Sequence, residues 1–114
     1  MAALIKSSTR GTYFVAEEKG EVVGQLLITY EWSDWRNGNF WWIQSVYVRE
    51  DFRGKGIFRA LFEHVHRLAK KRSDVCGLRL YVEANNASAQ KTYRRLGMKK
   101  TVYEMFETDF VMGH

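Results

Sequence analysis

Four residues, Arg53-Gly54-Lys55-Gly56, stand between an apolar run ending in Val46-Tyr47-Val48 and a segment in which Ile57, Leu61, Val65 and Leu68 recur at helical spacing. That order has a chemical meaning. Glycines let the backbone turn sharply and bring successive N–H groups close to one anion, and a helix start adds amides without partners and a partial positive charge. Arg53 and Lys55 add two full charges. A pyrophosphate is the natural guest. The pattern is neither the Walker loop, which needs glycine, lysine and Ser/Thr together, nor the dinucleotide fingerprint G-x-G-x-x-G. Taken alone, a G-x-G before a helix is also what a tight strand-to-helix turn looks like.

Other reactive side chains offer less. His64 and His66 are two apart on the same helical segment, so they face different directions and do not form a joint metal site; they read as surface histidines. Cys76 is the one cysteine, which excludes an internal disulfide and a cysteine-cluster metal site, and with no positioned partner in view it reads as structural. Glu31 and Asp34 lie on what reads as a loop beside the strands, where they are either solvated acids or groups able to act on a substrate through water. No metal is expected.

The elements that must position the loop follow from patterning. Thr12–Glu17 and Glu21–Trp32 are rich in β-branched and aromatic residues around Glu18-Lys19-Gly20, which reads as a hairpin. Asn37-Gly38 is a turn signal before Phe40–Val48, apolar on both faces except at Gln44 and Ser45, hence a central strand buried on both faces. The helix after the loop runs to about Lys71, closing on Lys70, Lys71 and Arg72, which suit the negative end of its dipole. Cys76–Glu83 alternates as a half-buried strand, Asn85 or Asn86 caps a helix through Leu96 that Gly97 stops, and a last strand falls within Lys99–Phe110. The first ten residues carry no clear assignment.

At 114 residues, 46% apolar and 15% aromatic, the chain can bury a core, which excludes disorder throughout and makes a single domain, residues 1–114, the expected organisation. The architecture is mixed α/β: one layer of sheet flanked by helices. The charge is 18 − 13 = +5, compatible with nucleic acid, an anionic membrane surface or a phosphate-rich small molecule. No run approaches the roughly 20 apolar residues of a membrane span.

Arg53-Gly54-Lys55-Gly56-Ile57-Phe58 after Val46-Tyr47-Val48 resembles the R/Q-x-x-G-x-G/A signature of the GNAT superfamily of acetyl-CoA-dependent acyltransferases. Asn86-x-x-Ala89-x-x-x-Tyr93-x-x-x-Gly97-Met98 resembles that family's second signature, N-x-x-A-x-x-x-Y-x-x-x-G-F. The match covers about Tyr13 to Phe110. It implies a mixed, mostly antiparallel sheet with coenzyme A between splayed central strands. By that resemblance, the backbone of Val46, Tyr47 and Val48 would bond the pantetheine arm as an added strand and polarise the thioester carbonyl. Gly54, Gly56, Ile57 and Phe58 would offer amides to the pyrophosphate beside Arg53 and Lys55. Asn86 would face the cofactor arm, and Tyr93 would protonate the leaving thiolate while a primary amine attacks directly.

Phe58 stands where the family has glycine or alanine, Met98 replaces phenylalanine, and Gln44 or Ser45 occupies the place of a glutamate base found in some relatives. The resemblance also implies a strand and two helices ahead of a first strand that here follows about ten residues. Either the domain is trimmed or a second subunit completes the site, and the cluster of Tyr30, Trp32, Trp35, Phe40, Trp41 and Trp42, read as an uncovered patch, makes a homodimer the expectation. The expectation is a cytoplasmic N-acetyltransferase acting on a small-molecule or peptide amine, without nucleic-acid or membrane partners. The alternative is a coenzyme A-binding or interaction module that has lost its acceptor wall and its catalysis.

Overall fold

A computed structural model describes residues 2–112, with side chains from residue 7 onward. The chain divides into two compact units, 1–82 and 83–114.

The first unit is a five-stranded sheet in the order β1-β2-β3-β4-β5. Strands β1 (Ala2–Ser7), β2 (Gly11–Glu18), β3 (Glu21–Ser33) and β4 (Gly38–Val48) run antiparallel to their neighbours, and β5 (Val75–Leu80) pairs with β4 in parallel. A parallel pair needs a long crossover. Helix α1 (Ile57–Lys71) supplies it. The sheet is thus mixed and mostly antiparallel, as expected. Strand β1 falls in the stretch the sequence left unassigned.

Turn chemistry matches the local sequence. Lys19 and Gly20 both take positive φ, 52° and 82°, the conformation a two-residue hairpin of native twist requires. The β3–β4 turn ends on Asn37 at φ 50°, a value asparagine tolerates better than most side chains.

The core lies between α1 and one face of the sheet. Phe14 of β2, Leu26 and Ile28 of β3, and Trp41 and Ile43 of β4 are buried, as are Ile57, Leu61, Phe62, Val65 and Ala69 of α1. The helical stripe differs from the sequence reading at three positions: Phe62 and Ala69 are buried, whereas Leu68 is only half-buried. Gly24 makes close packing possible, since a Cβ there would sit 2.7 Å from Cγ2 of Ile57 and 3.3 Å from the carbonyl oxygen of Tyr47.

Strand β4 is central but is not buried along its length. Phe40, Trp41 and Ile43 are buried, and Gln44 to Tyr47 are exposed. The aromatic patch divides accordingly: Trp41 belongs to the core, Phe40 is buried on the opposite face beneath Arg79, and Trp32 and Trp35 keep 60% and 91% of their surface. His64 is half-buried, its ring edge-on to Phe14 at 5.8 Å.

The second unit holds α2 (Ala87–Arg95). Asn86 caps it, accepting a hydrogen bond from the Ala89 amide at 3.0 Å. At the other end Gly97 adopts φ 94°, the Gly97 amide donates to the Arg94 carbonyl, and the Met98 amide donates to the Tyr93 carbonyl. These are the paired bonds of a Schellman stop. The last strand expected within Lys99–Phe110 does not form: the described residues after α2 have no strand. A strand needs a neighbour to share its backbone bonds, and no described strand pairs with this segment.

Candidate cofactor site

The site grows from a defect in β4. Leu27 pairs with Ser45 and Ile28 with Ile43, so Gln44 is an extra residue, a β-bulge that bends the strand. The β4–β5 ladder ends at the same place, on the rung of Ile43 and Leu80. Beyond it, β4 stays bonded to β3 through Ser45 to Val48, and no described strand pairs with its other side. An edge of this kind can accept an extended ligand as an added strand. Val46 and Tyr47 on it are 39% and 51% exposed.

The edge leads directly into the glycine loop. A single 3₁₀ turn, Glu50–Phe52, follows Arg49, and Gly54 and Gly56 adopt φ of 77° and 80°. Both glycines are left-handed, and a Cβ at either would meet nothing within 4 Å. Gly56 is the helix N-cap and brings no capping side chain, and the first turn of α1 contains no acidic residue. First-turn amides of a helix lack intrahelical carbonyl partners. Open space, unblocked glycine backbone and a positive helix end together fit a phosphate group.

Charge in the loop is arranged around Arg49, which the sequence reading missed. Its Nε and Nη2 donate to the two carboxylate oxygens of Asp51 at 3.1 and 2.7 Å, and its Nη1 donates to Glu21 at 2.9 Å. These bonds raise the Arg49 pKa further, Asp51 contributing most, and the hydrogen bonds from Arg49 hold the Asp51 carboxyl below its usual range. The Asp51 carboxylate is thereby paired within its own turn. Phe52 lies near two cations, with Arg49 Cζ at 5.2 Å and Lys55 Nζ at 5.3 Å from its ring centre. Arg53 is tied inward: its Nε donates to the Val48 carbonyl at 3.0 Å.

The structure therefore brings Val46, Tyr47, Val48, Arg53, Gly54, Lys55, Gly56, Ile57 and Phe58 together on one continuous path of strand edge, loop and helix start. Phe58 is half-buried, its ring 6.2 Å from that of Phe62, so its bulk turns partly toward the core. Asn86 and Tyr93 belong to the second unit, at the cap of α2 and seven residues along it, hence on the same side of that helix. The Oδ1 of Asn86 is committed to the cap.

Glu31 is not a loop acid. It lies within β3, and its Oε1 accepts from Trp42 Nε1 at 2.9 Å and Arg79 Nη1 at 3.0 Å. Asp34 is in the β3–β4 turn and accepts from the Trp35 amide at 2.9 Å.

Residues 2–98 match the family model described as the acetyltransferase (GNAT) family. The chain belongs to that family. Among solved structures, that of a possible acetyltransferase from Clostridium difficile 630 is 46% identical with a TM-score of 0.86, over 92% of this chain and 69% of that one. Two N-acetyltransferases of Methanocaldococcus jannaschii, both uncharacterised, are 34% identical over 89 residues and 32% identical over 87. The chain spans 39% and 52% of their respective lengths. Among the described residues no group of histidine, cysteine, aspartate or glutamate is placed to hold a metal ion, and no helix is long and apolar enough to cross a membrane.

Proposed function

We propose that this chain binds acetyl-CoA along the open edge of β4 and the glycine loop, and transfers the acetyl group to a primary amine. The observation that carries the reading is the coincidence, at one point of β4, of the Gln44 bulge and the end of the β5 ladder, on an edge that leads to Gly54, Gly56 and the start of α1. The pantetheine arm would lie along Val46, Tyr47 and Val48, and the pyrophosphate against the amides of Gly54, Gly56, Ile57 and Phe58. Lys55 and Arg53 add positive potential there. By the family resemblance, Asn86 would face the arm.

The thioester supplies a carbonyl open to attack by an amine. A β4 amide beside the bulge would donate to the carbonyl oxygen as charge develops on it. As the C–N bond forms and the C–S bond breaks, the departing thiolate would take a proton from the hydroxyl that the family resemblance assigns, Tyr93, and the proton shed by the amine nitrogen would restore the phenol through solvent. Neither Gln44 nor Ser45 removes a proton from an ammonium group, so the amine would react in its neutral form.

The chain would work in the cytoplasm, a setting consistent with a free thiol at Cys76, and as a homodimer packed through Trp32 and Trp35, which sedimentation velocity tests. Catalysis is tested by free-thiol release from acetyl-CoA across a panel of aliphatic, α-amino and aromatic amines. Release that depends on one amine class supports the reading. Cofactor binding without thiol release for any amine would instead favour a binding module.

A further inference from the structure

We infer that Arg79 and Glu31 form a strap that fixes where β4 and β5 part, making both positioning residues for the cofactor edge; the inference rests on the acetyl-CoA reading above. The carboxylate of Glu31 on β3 reaches over β4 to Arg79 on β5, with 3.0 Å between Oε1 and Nη1, and the same oxygen takes the Trp42 indole N–H at 2.9 Å. One carboxylate thus ties three strands on the face away from α1.

The strap sits at the parting point. Trp42 pairs with Arg79 on the rung before Ile43 and Leu80, where the ladder stops. Arg79 Cζ lies 3.6 Å from the ring centre of Phe40, itself buried, so stacking as well as charge holds the guanidinium. Tyr81, the first residue past β5, packs on Trp42 with 4.3 Å between ring centres. An isolated surface ion pair contributes little. This one is joined to an indole donor and two aromatic stacks, and only 25% of the Arg79 side chain is exposed.

Without the strap the short parallel ladder frays from its open end, and the β4 backbone just past the bulge loses its fixed direction. The glycine loop is anchored separately, by Arg49 to Asp51 and Glu21 and by Arg53 to Val48. The two parts of one ligand therefore respond differently: the pantetheine arm senses the strap and the pyrophosphate does not.

Calorimetric titration of Arg79→Met, Arg79→Lys and Glu31→Gln with acetyl-CoA and with ADP separates them, with Lys70→Met as an exposed control on the far end of α1. The expected result is about a tenfold loss of acetyl-CoA affinity in Arg79→Met and Glu31→Gln, with ADP affinity unchanged within about twofold. Arg79→Lys, which keeps the charge but not the flat stacking fork, falls between. Unchanged acetyl-CoA affinity in the strap variants overturns the inference, as does equal loss of both ligands. A wild-type chain that binds neither ligand overturns the cofactor reading itself, and the strap's role with it.

Discussion

Arg53 donates from Nε to the carbonyl of Val48 at 3.0 Å, tying the first residue of the glycine loop to the last residue of the open strand edge. The loop is therefore held to the far end of that edge, away from the bulge, by a side chain that also carries charge. Arg53→Ala is expected to lower acetyl-CoA affinity by about tenfold, and Arg53→Lys, which restores charge without the planar guanidinium, to recover only part of it. Titration calorimetry of the two variants checks this; full recovery in the lysine variant would show that charge alone matters.

The left-handed backbone at Gly56 makes a second prediction. An L side chain at φ 80° is strained by about 1–2 kcal/mol, so Gly56→Ala should distort the loop although the space around the new methyl is open. The expected outcome is weakened acetyl-CoA binding with a drop in melting temperature of only a few degrees, read by calorimetry and by thermal melting followed by circular dichroism.

Gly24 behaves differently because its neighbours are packed. A Cβ there would press on buried Ile57 at 2.7 Å, a β-branched residue with little rotamer freedom. Gly24→Ala should destabilise the first unit by about 1–3 kcal/mol, measured by urea unfolding.

Most of the fold was legible from the sequence because its signals are local. Turn residues marked the hairpins, the spacing of Ile57, Leu61 and Val65 marked α1, and Asn86 and Gly97 marked both ends of α2. What escaped depends on partners distant in the chain. Strand β1 has little pattern of its own and is defined by pairing with β2. The apolar run from Phe40 to Val48 reads as buried throughout, yet its second half is open because β5 stops at Leu80. Glu31 reads as a loop acid because its partners Trp42 and Arg79 are 11 and 48 residues away. The glycine loop and its charges were visible; the Arg49–Asp51 brace inside it was not, since that ion pair looks like any adjacent surface charges.

That brace predicts a pH dependence. Arg49 depresses the Asp51 pKa in the folded state, so the contribution of Asp51 to stability is present above its unfolded value, about 3.9, and disappears as pH falls through the lower folded value. Asp51→Asn should therefore melt below wild type near neutral pH, with the gap closing in acid and shrinking in high salt, since both partners are exposed. Scanning calorimetry across that range measures it.

The absence of a base at Gln44 and Ser45 makes the acceptor's own ionisation decisive. The rate should rise with pH toward the pKa of the free amine, earlier for an α-amine near 8 than for a lysine-type amine at about 10.4. Profiles of kcat/KM against pH for two acceptors with different pKa values check this. Superimposable profiles would point to a protein base.

The central claim is that the β4 edge and the glycine loop bind acetyl-CoA, and calorimetric titration of the wild-type chain addresses it most directly. The account predicts saturable binding of one acetyl-CoA per chain, with the affinity reduced in Arg53→Ala. No heat with ligand at about 1 mM, where even a complex of about −4 kcal/mol would be half formed, would contradict it.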